Sequence, residues 1–210
     1  SQNTLQMILL ISIFFTVVPL SGFAEVADCT VVINGEAEAV SFATKTPDGE
    51  QTPVDGVLMK PDGTGPFPGM VLLHGEHGIY PPRCAEGVLR FFVDLGYVSL
   101  LIDSASAQRP SRFMGQSVFE DQAQDAHKGR DFLTTLPYVM PEKIGVIGWW
   151  VGGAAVIDAV SGNKKTFLME KKAPFSAAVA IYPLCFEKIK DLETPFLIFI
   201  GEKDTRASAA

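Results

Sequence analysis

The chain has 210 residues, 47% hydrophobic and 20% charged, which suits one folded domain with a sizeable core and excludes a disordered polymer. Its formal net charge is −7 with no basic stripe, so nucleic acid is not an expected partner, because phosphate binding needs clustered Lys and Arg. No internal repeat or low-complexity tract is present.

The first segment, "MILLISIFFTVVPLSGFA" (7–24), is an apolar run followed by Pro19 and small residues. It fits the apolar core and cleavage region of a secretory signal, with Gly22 and Ala24 before the cut. It is short for a membrane span. No Lys or Arg precedes Lys45, so the positive start of such a signal is not in the sequence. The alternative is a buried helix or an anchor. The expectation is a signal peptide at 1–24 and a domain at 25–210, periplasmic or secreted, with no stable membrane association once the signal is removed. In an exported protein Cys29, Cys84 and Cys185 allow one disulfide and one leftover thiol, and the sequence does not choose the pair. The sequence opens on Ser1 and stops at Ala210 soon after an apolar run, so a fragment of a longer reading frame, short at its C-terminus, is expected.

Apolar runs and turn signals then alternate. "AVSFAT" (39–44) and "VDGVLMK" (54–60) read as a hairpin joined through a Pro- and Gly-containing linker. "GMVLLHG" (69–75) is a continuous apolar run, the pattern of a strand buried on both faces. Residues 81–96 have Val88, Leu89, Phe92 and Leu95 at helical spacing, with Gly96 as the stop. A second buried strand follows at 97–103, a helix at 119–137 ended by Pro137, a strand at 143–148, a helix at 152–160, and strands at 176–182 and 195–201. Strands alternating with helices predict an α/β fold, a doubly wound and mainly parallel sheet with helices on both faces. Ligands of such sheets bind at the carboxyl ends of the strands, which directs attention to the loops after Leu73, Ile147 and Ile200.

The loop after Ile147 begins "GWWVGG" (148–153), a glycine-flanked turn from strand to helix. A residue at its apex, Trp150, sits where many hydrolases hold a nucleophile, and the backbone N–H of Val151 would lie at a helix N-terminus, suited to an oxyanion. The turn lacks the GK[ST] of a phosphate loop and the spacing of a dinucleotide fingerprint. The loop after Leu73, "HGEHG" (74–78), can supply a second oxyanion donor through the backbone of Glu76. His74 and His77 without a third ligand make a poor metal site, and no metal is expected. A histidine in such a loop is more often hydrogen-bonded scaffold. Asp204, in "GEKDT" (201–205), is placed to orient a histidine, although an Asp after a strand is alone more often a cap. Arg109 and Arg112 lie beyond a strand end, where they could hold a substrate carboxylate, against the simpler reading of a solvated loop. Ser104 lacks the glycine-flanked turn that a nucleophile needs.

"PFPGMVLLHGEHG", "LGYVSLLIDS", "PEKIGVIGWWVGG", "FSAAVAIYP" and "TPFLIFIGEKD", in that order over 54–204, resemble the dienelactone hydrolase family of α/β-hydrolases, particularly its exported members. The resemblance implies an α/β-hydrolase fold, no cofactor, and a small-molecule ester or lactone as substrate. It also implies Cys or Ser at position 150, an acid at Asp204 and a later histidine. The sequence departs from this pattern twice: Trp150 replaces the nucleophile, and His74, His77 and His127 all precede Asp204. Indole offers one N–H donor and no group that attacks a carbonyl. The chain is thus expected to be inactive as written, a dienelactone hydrolase-like protein with a substituted elbow or, alternatively, a pseudoenzyme that binds a ligand or partner. A flavodoxin-like nucleotide domain would need a phosphate loop after its first strand, which "HGEHG" does not resemble.

Overall fold

The structure is a computed structural model that describes residues 37–45, 51–76, 78–79, 82–104, 118–161, 174–184, 192 and 194–205. The expected signal segment, Cys29 and Cys185 lie outside the described residues, as does the side chain of Cys84. No helix among the described residues is long and apolar enough to cross a membrane.

Seven strands form one sheet: β1 (Glu38–Lys45), β2 (Gln51–Met59), β3 (Phe67–Leu73), β4 (Val98–Asp103), β5 (Val139–Trp149), β6 (Ala178–Ile181) and β7 (Phe196–Phe199). Among the described residues three helices lie between them: α1 (Pro82–Asp94), α2 (Val118–Thr134) and α3 (Val151–Val160). The strand order is β1-β2-β4-β3-β5-β6-β7. The β1–β2 hairpin is antiparallel and also pairs antiparallel with β4, while β4-β3-β5-β6-β7 are parallel. The sheet expected from the alternating runs is therefore the sheet observed, with its hairpin at one edge.

The continuous apolar runs are explained by helices on both faces. Val71 and Leu73 of β3, Leu100 and Ile102 of β4 and Val146 of β5 pack in one layer with Ala126 and Leu133 of α2 and Ala155, Val156 and Val160 of α3. The intervening Leu72, Leu101 and Ile147 pack in the other layer, with Leu89, Phe92 and Val93 of α1. Successive strand residues point to opposite faces, so a strand covered twice has no polar position to spare.

Helix α1 stops where Gly96 takes φ 86. The Gly96 N–H donates to Val93 O at 2.9 Å and the Tyr97 N–H donates to Phe92 O at 2.9 Å, which is the Schellman pattern of a glycine-ended helix. Its usual apolar contact is also present, the Tyr97 ring lying edge-on to Phe92 at 6.2 Å between centroids. This geometry corrects one expectation. Leu95 has the spacing of the buried face, but it falls in the turn after the last helical residue and is 39% exposed.

Two boundaries also differ from those read in the sequence. Helix α2 ends at Thr134, before Pro137. The hydroxyls of Thr134 and Thr135 donate to the carbonyls of Asp131 (2.6 Å) and Phe132 (2.7 Å), an alternative to continuing the helix. Strand β5 begins at Val139, four residues before the apolar run starts at Lys143. Its pairing with β3 shifts register between Phe67 and Gly69, and Pro141, Glu142 and Lys143 are exposed at that irregularity.

Candidate functional site

The sheet order fixes where a site belongs. From β3 the chain crosses through α1 to β4 on one side; from β4 it returns through α2 to β5 on the other side of β3. The chain therefore leaves β3 and β5 toward opposite faces of the sheet, and it is between such loops, at the carboxyl ends of the strands, that sheets of this kind bind ligands. Leu73 pairs with Gly148, so the two loops begin side by side.

Trp150 is the apex between β5 and α3, at φ 57 and ψ −115. A bulky side chain at positive φ is an outlier that costs on the order of 1–3 kcal/mol and persists only when its surroundings over-determine it. They do. The Trp150 N–H donates to Ile181 O of β6 at 3.0 Å, and the Trp150 carbonyl accepts from the Ala154 N–H at 3.1 Å. The flanking glycines remove the atoms that would block the turn. A Cβ on Gly148 would run into the Gly152 carbonyl, and one on Gly152 into the carbonyls of Leu73 and His74. The first turn of α3 thus rests directly on the end of β3. Trp150 makes no side-chain cap to this helix. The N–H groups of a helix's first turn, that of Val151 included, have no acceptor within the helix.

The neighbouring loop meets the apex. The Trp150 Nε1–H donates to Glu76 Oε2 at 3.4 Å, and the Trp149 ring flanks Gly75, with Cδ1 3.5 Å from where a Cβ on that glycine would stand. Glu76, expected to act through its backbone, reaches the apex with its carboxylate.

Beneath the loop His74 is 1% exposed and tied on three sides. The Ser104 N–H donates to His74 Nε2 at 3.0 Å, so Nε2 is an acceptor and the proton of the neutral ring is on Nδ1. Nδ1–H donates to Gly75 O at 2.6 Å. The side-chain amide of Gln122, on α2, is 3.3 Å from the His74 carbonyl and donates to it. The same amide nitrogen is 3.3 Å from Nδ1, which as a donor has no lone pair for it. Burial holds the His74 pKa below its usual 6.5, against the opposing pull of the Gly75 carbonyl and of the Asp103 and Asp125 carboxylates. His74 is hydrogen-bonded scaffold, as the sequence suggested. His127 is also committed to the core: its Nε2 is 3.0 Å from Ala159 O, and its ring lies 5.1 Å from Phe175.

Asp204 follows β7 in a turn closed by its own N–H donating to Gly201 O at 2.9 Å, and it is half-buried. Strands β5, β6 and β7 are successive parallel neighbours. At about 4.8 Å per strand the end of β7 lies about 10 Å from that of β5, a gap that a third side chain must span if the two loops are to act together. Arg109, Arg112 and His77 lie outside the described residues. Among the described residues no three His, Cys, Asp or Glu side chains come together so as to hold a metal ion.

Two features escaped the sequence reading. Gln122 sits 48 residues from the histidine it braces, on a helix whose apolar pattern says nothing of that contact. Tyr182, immediately after β6, takes φ 36 and donates its N–H to Phe199 O at 2.6 Å, a second strained residue beside the apex. No glycine or motif marks it.

A mainly parallel sheet in this order, with an antiparallel hairpin at one edge and a strained apex between β5 and α3, is an α/β-hydrolase fold. The model of the dienelactone hydrolase family matches residues 54–210, and the chain belongs to that family. The structure is similar to the dienelactone hydrolase-like promiscuous phosphotriesterase P91 from metagenomic libraries (22% identity, TM-score 0.59, covering 81% of this chain and 71% of that one). It is similar to the α/β hydrolase GrgF from Penicillium (20% identity, TM-score 0.52, 70% of this chain, 46% of that one). It is also similar to dipeptidyl peptidase 4 of Porphyromonas gingivalis (18% identity, TM-score 0.50, 70% of this chain), of whose length it spans 21%. At these identities the likeness is one of fold.

Proposed function

We propose that this chain is a dienelactone hydrolase-like protein built for small carboxylic esters or lactones, without cofactor, which does not turn them over in its present form. One observation carries the reading: the strained apex between β5 and α3, the place of a nucleophile in this fold, holds Trp150. The scaffold of acyl transfer surrounds it. The Val151 N–H at the start of α3 and the backbone N–H of Glu76 are assigned as oxyanion donors, and Asp204 as the acid. Arg109 and Arg112 are assigned to a substrate carboxylate. The indole has no nucleophilic atom and occupies the space of the reacting carbonyl. The Glu76–Trp150 hydrogen bond favours a second reading, a non-catalytic binder on the same fold, because it closes the apex against the neighbouring loop.

The test restores only the missing atom. A thiol at a helix N-terminus has a lowered pKa and attacks acyl groups as thiolate. Trp150→Cys mixed with p-nitrophenyl acetate is expected to release one rapid equivalent of p-nitrophenolate per chain, whereas the unmodified protein and Trp150→Ala release none. No burst from Trp150→Cys, with the fold intact by circular dichroism, sinks the assignment of the elbow.

Export belongs to the same proposal. The apolar run at 7–24 and its small-residue end support a periplasmic or secreted protein. Expression in a bacterial host is expected to give a mature N-terminus near residue 25. An intact segment in a soluble cytosolic product counts against export.

A further inference from the structure

Neutral His74 binds the Ser104 N–H through the Nε2 lone pair, and that lone pair is lost when the ring is protonated. Nε2–H and the Ser104 N–H would then be two donors facing each other at 3.0 Å. An acceptor is within reach of a small movement: Asp103 Oδ1 lies 3.9 Å from Nε2 at the end of β4. A protonated ring would therefore exchange its tie to Ser104 for one to Asp103. Such an exchange would pull on the 74–76 backbone, because His74 also holds Gly75 O, and Gln122 holds the His74 carbonyl.

We propose that His74 is a positioning residue that keeps the 74–76 loop against the apex only while its ring is neutral, so that protonation transfers Nε2 from Ser104 to Asp103 and parts Glu76 from Trp150. The charged groups around the ring set the balance. Asp103 on β4 and Asp125 on α2 favour the imidazolium, Lys128 on α2 offsets Asp125 from 3.3 Å, and Glu76 lies one residue beyond the loop's centre. Burial opposes the charge and places the change on the acid side of an ordinary histidine. The inference goes beyond the hydrolase reading and does not need turnover, since it concerns a contact and not a reaction.

The chain carries its own reporter. Its two tryptophans are Trp149 and Trp150, and they touch this loop at Gly75 and Glu76 respectively. Tryptophan emission and far-UV circular dichroism are recorded on the same samples from about pH 8 to pH 5, where histidine changes charge. The unmodified protein is expected to show a one-step red shift with a midpoint below 6.5 while the dichroism holds. His74→Gln keeps an acceptor for the Ser104 N–H and cannot take up a proton, so its emission should stay at the high-pH form throughout. Asp103→Asn removes the alternative charge and should move the midpoint to lower pH. His77→Gln and His127→Gln should leave the step in place. The proposal is overturned if the step is missing, if it coincides with loss of dichroism, if His74→Gln retains it, or, should that variant fail to fold, if Asp103→Asn leaves the midpoint unchanged.

Discussion

At the scale of single residues, the site depends on two side chains with opposite fates. Trp150 is half-exposed on a backbone that disfavours it; His74 is buried on a backbone that it helps to hold. The buried histidine makes stability depend on pH, with a definite sign. Its folded-state pKa is depressed below 6.5, so between those two values the unfolded chain binds more protons than the folded one. Its contribution is complete above pH 6.5 and is lost as the pH falls below it. Each pH unit inside that window removes at most about 1.4 kcal/mol. Urea midpoints at successive pH values are expected to fall from 6.5 downward, and His74→Gln to flatten that slope. A slope unchanged by the substitution would assign the acid sensitivity to other groups.

At the scale of elements, α1 shows what sequence periodicity conveys and where it ends. Val88, Leu89 and Phe92 follow the helical period, and Leu89 and Phe92 are buried. Leu95 follows the same period but lies past the last helical residue, because the Gly96 cap ends the helix at Asp94, one residue before it. Leu89→Ala is expected to cost about 2–5 kcal/mol and Leu95→Ala no more than about 0.5 kcal/mol, read from chemical denaturation. Equal costs would mean that α1 does not end as described. The buried strands were legible because a doubly covered strand must be apolar throughout. The start of β5 was not, since "PEK" at 141–143 is polar and exposed where the pairing with β3 shifts register. The elbow was legible through its glycines. The braces of His74 were not: a hydrogen bond from Gln122, 48 residues distant, leaves no local pattern, and neither does the positive φ of Tyr182.

At the scale of the whole molecule, a sheet whose strand order reverses at β3 brings the loops of β3 and β5 together, and family membership agrees with that architecture. At the apex of this chain stands an indole, that of Trp150. Removing the nucleophile of a hydrolytic triad costs about 10⁶-fold in turnover. What survives in such cases, about 10³–10⁴-fold over water, comes from the oxyanion hole and from binding, and under the proposed function the Trp150 ring stands in the way of the carbonyl. The central claim is therefore tested most directly by the initial rate of hydrolysis of p-nitrophenyl acetate and of a dienelactone by the unmodified protein. The account predicts a rate that neither saturates with substrate nor exceeds the uncatalysed reaction in proportion to protein. Saturable turnover that scales with protein concentration, and that Asp204→Asn leaves unchanged, would contradict both the role given to the apex and the acid assigned beside it.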